Sequence, residues 1–181
     1  MMDEIILVRR AKTGDGECFA QLVRNHTTRV YRIAFALLQD GSDAEDAVQE
    51  AFITAYRSIK KLEKDEAFGS WLARIVTTRA YDIIRKRQHG KKVSPDQNPL
   101  PDVEELPSPV DSIKATELSL DLHQAIERLP EAHRLVVLLR YAEDATTDEI
   151  AYILGRPAGT VRRMLSESYR LMRHYLEEEI A

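Results

Sequence analysis

Apolar residues recur every three or four positions along most of this chain, which is the period of an amphipathic α-helix, whereas strand-like alternation is scarce. The pattern predicts an all-α fold with four helices near 2–13, 17–39, 42–58 and 67–88, and four more near 115–128, 131–142, 147–154 and 158–177. Apolar spacing is most regular in the second helix, which should therefore lie at the centre of the core. Its predicted core positions are Phe19, Leu22, Val23, Val30, Ile33, Ala34 and Leu37.

The segment between the two sets of helices has a different composition. Five of the seven prolines fall between Val93 and Asp111, together with five acids and no Lys or Arg. Because proline breaks helices and like charges repel, residues 93–113 are predicted to form a flexible acidic linker. This linker would join a domain of residues 1–92 to a domain of residues 114–181. It could be a solvated spacer, or a polyanionic strand that mimics nucleic acid inside a basic channel.

Residues 146–165, TTDEIAYILGRPAGTVRRML, have the pattern of a helix-turn-helix. Thr146, followed three residues later by Glu149, forms a capping box that starts the first helix. Gly155 permits a left-handed turn between the helices, while Ala151 and Val161 suit the contact between them. The second helix would enter the DNA major groove. A plain helical hairpin is the alternative interpretation.

Charge is distributed unevenly. The chain has 26 Lys and Arg residues against 30 Asp and Glu, a net charge of -4, which argues against a protein that coats nucleic acid through overall charge. Between Phe68 and Lys92, however, there are seven basic residues and one acid. A basic helix with interleaved aromatic residues suits contact with phosphates and unstacked bases. Phe68 and Trp71 are also expected to be partly in the core, so the basic side chains are the stronger candidates for binding.

The predicted third helix begins with the opposite charge. Gly41 is expected to end the preceding helix, and Ser42 with Glu45 to cap this one. Acids are favourable at a helix N-terminus, but four within eight residues exceed what capping requires. The acidic face beside Phe52 and Tyr56 therefore predicts a docking surface for a protein partner. Its four acids are Asp43, Glu45, Asp46 and Glu50.

Other reactive groups are sparse. The single cysteine, Cys18, lies among apolar residues, which favours core filling and a reducing compartment. The five histidines are scattered, and no metal-ligand or phosphate-cradling motif occurs. No apolar run is long enough to span a membrane, and the N-terminus is unlike a signal peptide. We therefore expect a cytoplasmic protein without membrane insertion, which is not an enzyme and uses no metal or other cofactor.

Three segments in this order resemble the extracytoplasmic-function sigma factors of bacterial RNA polymerase. They are AEDAVQEAF (44–52), FGSWLARIVTTRAYDIIRKR (68–87) and AIERLPEAHRLVVLLRYAEDATTDEIAYILGRPAGTVRRML (125–165). The resemblance extends over nearly the whole chain outside the linker. It implies a transcription initiation factor that binds core RNA polymerase, directs it to specific promoters and aids melting of the minus-10 region.

The resemblance also implies roles for individual residues. The acidic helix would dock on the clamp helices of the largest polymerase subunit through Asp46, Gln49, Glu50, Phe52 and Tyr56. The loop of residues 60–67 and the basic helix would capture the minus-10 element through Trp71, Arg74, Thr78, Arg79, Arg85 and Lys86. The helix-turn-helix would read the minus-35 element through Thr160, Arg162, Arg163, Ser166 and Arg170.

The same resemblance implies partners beyond polymerase and promoter DNA. In the family the linker threads into the polymerase channel, which favours the nucleic-acid mimic over the spacer. An anti-sigma factor, often at the membrane, is an expected partner, and the free chain is expected to be a monomer. One departure stands out, because members often carry several basic residues where this chain has Met164, Ser166, Glu167, Ser168 and Tyr169. This loss of charge predicts weak or altered binding to the minus-35 element.

The sequence is also compatible with two other classes of protein. An operator-binding regulator with a helical sensor or dimerisation domain would explain the helix-turn-helix, but it leaves the acidic and basic helices without a function. Such a regulator should be a dimer. A helical interaction module that has lost DNA binding would explain Ser166, Glu167 and Ser168.

Overall fold

The computed structural model describes residues 3–90 and 117–180, which form eight α-helices and no strand. The N-terminal half contains α1 (Glu4–Lys12), α2 (Gly16–Leu38), α3 (Gly41–Ser58) and α4 (Phe68–Gly90). The C-terminal half contains α5 (Glu117–Glu127), α6 (Glu131–Tyr141), α7 (Thr147–Leu154) and α8 (Ala158–Ile180). Two short 3-10 helices, Ile59–Lys61 and Asp65–Ala67, connect α3 to α4. The predicted all-α fold is confirmed, and the predicted linker lies outside the described residues.

The junction between α2 and α3 differs from the prediction. The chain leaves α2 at Gln39, which has the left-handed φ of 48°. Asp40 then caps α3, because its Oδ1 accepts from the backbone N–H of Asp43 at 2.9 Å. The expectation that Gly41 ends α2 and that Ser42 with Glu45 caps α3 is therefore wrong. Asp40 offers the same short oxygen acceptor as a serine, and it directly precedes the first residues of α3, whose amides have no partner within the helix.

The centre of the N-terminal half is α2, which packs against α1, α3 and α4. Its apolar stripe includes Leu22, Val30 and Ile33, all fully buried, as the periodicity predicted. Small residues on the inner face of α3 let this helix approach its neighbours closely. They are Ala44, Ala47, Ala51 and Ala55. Cys18 is buried in the same core, and burial raises the pKa of its thiol, which agrees with core filling.

The C-terminal half packs directly on the N-terminal half. Its α6 lies against α2, and its α7 lies against α4. Leu135, Leu139 and Ile150 belong to the same hydrophobic cluster as the core of α2. A smaller cluster of Leu129, Val137 and Met172 holds α5 and α6 to α8.

Candidate functional site

The docking surface predicted on α3 is exposed to solvent. Asp46, Gln49 and Glu50 are exposed, whereas Ala47 and Ala51, on the inner face of the helix, are buried. The helix therefore presents a polar face whose orientation is set by its buried small residues. Of the two predicted flanking aromatic residues, Phe52 is half-buried against the core. Tyr56 is 52% exposed, and its ring meets the Phe19 ring edge-to-face at 5.0 Å between centroids.

Two residues of α3 refine this surface. Ile53 is 52% exposed and lies one helical turn after Gln49, so it adds an apolar contact to the polar face. Sequence reasoning missed Ile53, although its spacing from Gln49 was a usable signal. Asp43 has a different role, because it pairs with Arg87 of α4, which also lies 3.8 Å from Asp40. Asp43 thus fastens α3 to α4.

The basic surface of α4 lies beside the acidic surface of α3. Arg74, Thr78, Arg85 and Lys86 are exposed, and Arg79 is half-exposed. Asp82 is the acid of this helix, and it pairs with Arg85 and, at 3.7 Å, with Arg79. The structure thus brings the predicted basic side chains together on one face. A shallow groove between α3 and α4 is lined by Glu50, Arg79, Asp82, Ile83, Arg85 and Lys86.

The aromatic residues at the start of α4 contribute mainly to the core. Phe68 is fully buried, and Trp71 is half-buried with its ring tilted against Phe68 at 5.9 Å between centroids. This confirms the expectation that both are partly core residues. Tyr81 is also half-buried, and burial raises the pKa of its hydroxyl. Trp71 is thus partly accessible, and it lies three residues before Arg74 on α4.

The loop of residues 60–67 is anchored by α1. The Lys12 ammonium donates to the carbonyl of Leu62 at 2.6 Å and pairs with the Asp65 carboxylate at 2.5 Å. Arg9 donates to the same carboxylate at 2.8 Å. Hydrogen bonds from Lys12 and then Arg9 hold the pKa of Asp65 below its usual value. Sequence reasoning did not identify Asp65, since its partners are more than 50 positions away.

The predicted helix-turn-helix is present with its predicted signals. Thr146 and Glu149 form the reciprocal capping box at the start of α7. Gly155 ends α7 with a φ of 62°, a left-handed conformation that glycine adopts without a Cβ clash. Ile150, Ile153 and Val161 are buried between the two helices. Hydrogen bonds from Thr146 lower the pKa of Glu149, which keeps the cap ionised at neutral pH.

The outer face of α8 carries the residues predicted to read DNA. Arg162, Arg163, Ser166 and Arg170 are exposed, and Thr160 is half-buried beside the turn. Glu167 is exposed on the same face and lies 4.0 Å from Arg170, so it reduces the positive charge there.

Ser168 points the opposite way. Its side chain is fully buried, and its Oγ donates to the carbonyl of Met164 at 2.7 Å. With its proton used, Oγ accepts from Nδ1 of His133 at 2.9 Å, which joins α8 to α6. Of the residues in the family departure, Met164 and Ser168 are therefore part of the interior, and the loss of basic character concerns the exposed residues Ser166, Glu167 and Tyr169.

Arg74, a predicted DNA contact on α4, is engaged by the helix-turn-helix itself. Its Nη1 donates to the carbonyl of Tyr152 at 3.2 Å, and its guanidinium lies 4.9 Å from the centroid of the Tyr152 ring. The turn at Gly155 is close by, since a Cβ at that position would lie 3.8 Å from Arg74. The two predicted DNA-reading surfaces therefore meet in this structure.

Within residues 3–90 and 117–180, no group of three or more His, Cys, Asp and Glu side chains is arranged to hold a metal ion. None of the helices in these two ranges has the length and apolar character needed to cross a membrane.

Comparison with known proteins shows the family to which the chain belongs. Residues 22–90 match the family model for sigma-70 region 2, and residues 119–172 match that for sigma-70 region 4. The chain is 30% identical over 178 residues to the ECF RNA polymerase sigma factor SigW of Bacillus subtilis, with 94% of this chain and 95% of SigW covered.

Two solved structures share the fold. CnrH in complex with the cytosolic domain of CnrY has a TM-score of 0.69 at 20% identity, with 97% of both chains covered. RpoE from Bartonella quintana in complex with the anti-sigma factor NepR also has a TM-score of 0.69, at 22% identity, covering 88% of this chain and 96% of that one. Taken with the sequence matches, which extend over both halves, the chain belongs to the ECF sigma factors of the sigma-70 family.

Proposed function

We propose that this chain is a transcription initiation factor that binds core RNA polymerase, directs it to specific promoters and aids melting of the minus-10 element. The proposal rests on one observation. This member of the family combines an exposed acidic face on α3, a basic face on α4 and a helix-turn-helix at α7 and α8. Neither rival class of protein accounts for all three surfaces.

The α3 surface is suited to a basic partner with an apolar contact at its centre. Asp46 and Glu50 supply negative charge, and Gln49 supplies an amide that can both donate and accept. Exposed Ile53 and Tyr56 add apolar area, as interface centres usually require. We assign core polymerase binding to these five residues, with half-buried Phe52 supporting the surface from below.

The α4 surface is suited to the minus-10 element. Taking a base out of the duplex costs a few kcal/mol per step, so the site must bind both the backbone and the exposed base. Exposed Arg74, Arg85 and Lys86 would meet phosphates, and half-buried Trp71 would meet an unstacked base. Thr78 and Arg79 complete this surface, and the loop anchored by Asp65 borders it.

The α8 surface would read the minus-35 element as duplex DNA through Thr160, Arg162, Arg163, Ser166 and Arg170. Glu167 weakens or retunes that contact. In this proposal residues 1–92 and 114–181 act as separate DNA-reading domains, and the acidic linker of residues 93–113 enters the polymerase channel. The chain works in the cytoplasm, is a monomer when free and performs no catalysis. Because RpoE of Bartonella quintana binds the anti-sigma factor NepR, an anti-sigma partner is proposed here as well.

The decisive experiment is run-off transcription with purified core polymerase, combined with a direct measurement of core binding. The double variant Asp46→Ala/Gln49→Ala should lose about 30-fold or more in affinity for core while keeping its far-UV circular dichroism, since exposed interface residues can contribute 2 kcal/mol or more. The matched control is Glu17→Ala/Gln124→Ala, which removes an exposed acid and an exposed amide elsewhere. Core affinity no greater than that of an unrelated protein would refute the proposal, and a stable dimer in size exclusion would favour the operator-binding regulator.

A further inference from the structure

Two exposed tyrosines lie against each other on the surface of the C-terminal half. Tyr141, the last residue of α6, is 61% exposed, and Tyr169, in the middle of α8, is 40% exposed. Their rings meet edge-to-face with 6.0 Å between centroids and 70° between planes, and their hydroxyl groups are hydrogen-bonded to each other. Tyrosine is enriched at binding surfaces because it offers both a large ring and a polar hydroxyl. The pair is therefore a candidate contact site.

The fold holds this pair in place. Nδ1 of His133 in α6 lies 2.9 Å from Oγ of Ser168, which joins α6 to α8 one residue before Tyr169. At the end of α6, where the other tyrosine lies, Nη1 of Arg140 donates to the carbonyl of Ala145 at 3.1 Å. The two hydroxyls are thus brought together before any ligand arrives, which lowers the entropic cost of binding one.

The pair lies at the flank of the face of α8 that is predicted to read DNA. Successive residues of an α-helix are about 100° apart, so Tyr169 lies about 60° around the helix from Ser166. Its contact with Tyr141 shows that this flank faces the end of α6. A helix with its side chains is about 10–12 Å across and the major groove is about 12 Å wide. Side chains in the middle of the outer face therefore reach base edges, whereas those at its flank face the phosphates.

This part of α8 has no excess of positive charge with which to bind phosphates. From Ser166 to Glu177 the chain has two arginines and two glutamates. Glu167 lies 4.0 Å from Arg170, and Glu177 lies 3.8 Å from Arg173. A phosphate contact made here has to use neutral donors, and tyrosine hydroxyls are among the groups that bind DNA phosphates.

The hydrogen bond between the hydroxyls suits such a contact. Of the two hydroxyl protons, one is used between the tyrosines and the other can be donated outwards. The hydroxyl that donates outwards accepts from its partner, which polarises its own O–H bond and makes it a stronger donor. A phosphate oxygen is a charged acceptor, and hydrogen bonds to charged groups are stronger than those between neutral groups.

We propose that Tyr141 and Tyr169 form an uncharged phosphate-binding site, which binds the backbone of duplex DNA beside the groove that α8 enters. The site adds affinity for duplexes of any sequence, and base recognition stays with the middle of the outer face of α8. This inference rests on the proposed function in one respect, namely that α8 binds duplex DNA.

The test uses the full-length chain and fluorescence anisotropy with two labelled duplexes. One duplex carries the minus-35 element of a promoter that supports run-off transcription, and the other carries the same bases in scrambled order. The variant Tyr141→Phe/Tyr169→Phe removes both hydroxyls and keeps both rings. It should bind each duplex about five- to tenfold more weakly, by the same factor for both, because phosphates carry no sequence information. Its far-UV circular dichroism and Tm should match those of the unmodified chain.

Salt dependence separates this site from a basic one. The slope of log Kd against log salt concentration should stay the same in Tyr141→Phe/Tyr169→Phe, because an uncharged donor releases no counterion from DNA. Arg163→Gln should instead reduce that slope by about 0.9. Tyr141→Phe/Tyr169→Lys should recover affinity at low salt with a slope about 0.9 steeper than that of the double phenylalanine variant, because an ammonium then lies beside the same phosphate.

The matched control is Tyr175→Phe. Tyr175 is a half-buried residue of the same helix, and its ring centroid lies 4.5 Å from the guanidinium of Arg128, next to α5. Removing its hydroxyl should leave the affinity for both duplexes unchanged.

Unchanged affinity of Tyr141→Phe/Tyr169→Phe for both duplexes would overturn the site and leave the two rings a packing role only. A loss confined to the minus-35 duplex would overturn the phosphate assignment in favour of base reading. If the unmodified chain bound neither duplex, the site would be refuted together with the DNA-reading role of α8. A chain that binds DNA but not core polymerase would refute the proposed function alone, because the scrambled duplex still decides whether the tyrosine pair binds phosphate.

Discussion

Arg134 provides a direct test of how the halves are held together. Arg134→Met keeps the length and much of the volume of the side chain but removes both donors. Two carbonyls at helix C-termini, Ala36 and Glu127, then lose bonds of 2.6 Å each. A buried acceptor left without a partner costs about 1–3 kcal/mol. Burial lowers the pKa of the Arg134 guanidinium, which reflects a cost of burying the charge that the variant relieves.

The net expectation is a loss of about 2–4 kcal/mol in the free energy of unfolding, measured by urea titration with far-UV circular dichroism. For a chain of this length that corresponds to a drop of about 5–15 °C in Tm. The free energy of unfolding of Arg134→Lys should lie between those of the unmodified chain and Arg134→Met. An ammonium is more compact than a guanidinium and reaches one carbonyl rather than both.

The control is Arg173→Met, which removes an arginine whose side chain is 76% exposed and 3.8 Å from Glu177. This change should alter the free energy of unfolding by less than about 1 kcal/mol, as exposed ion pairs do. If Arg134→Met proved as stable as the unmodified chain within about 0.5 kcal/mol, the cost of burying the guanidinium would equal the gain from its hydrogen bonds. The reasoning that Arg134 holds the interface together would then be refuted.

Three further outcomes are expected. Thr146→Ala should lower the free energy of unfolding by about 1 kcal/mol because it removes the capping box, and Thr146→Ser should recover most of this loss in the same titration. Because the pKa of Glu149 is lowered in the folded state, its stabilising contribution is complete above the usual pKa of 4.5 and is lost as the pH falls through the lower folded-state value. On acidification, Tm should therefore decline less steeply in Glu149→Gln than in the unmodified chain. Glu167→Arg should tighten binding to a minus-35 duplex about fivefold or more by fluorescence anisotropy at fixed salt. Ser168→Arg should instead unfold the C-terminal half, because it places a charge at a fully buried position. If the two variants changed DNA affinity and folding equally, the opposite orientations of Glu167 and Ser168 would be contradicted.

The helices and their ends were predictable wherever the signals are local. The capping box of Thr146 and Glu149 and the left-handed turn at Gly155 involve residues within a few positions of one another, and both are present. Local reasoning failed between α2 and α3, because Asp40 and Ser42 are both able to cap a helix there. The choice depends on where α2 ends, and that is set by its packing in the core.

The candidate surfaces were predictable to a similar degree. Helical periodicity correctly separated exposed Asp46 and Gln49 from buried Ala47 on α3. It did not show that Asp43 pairs with Arg87, nor that Ser168 is buried against His133. Both facts depend on which helices are neighbours, and periodicity assigns a side chain to a face of its helix without naming what lies opposite.

The sequence by itself thus determined the all-α class, the eight helices found in residues 3–90 and 117–180, the separation of acidic and basic faces and the helix-turn-helix. Each of these follows from residues within one or two helical turns. Tertiary structure alone decided that the two halves close on each other. Arg134 meets Ala36 across 98 positions, and Arg74 meets Tyr152 across 78. Such pairs form only after helices far apart in the chain have buried a common apolar surface, which brings their remaining polar groups within hydrogen-bonding distance.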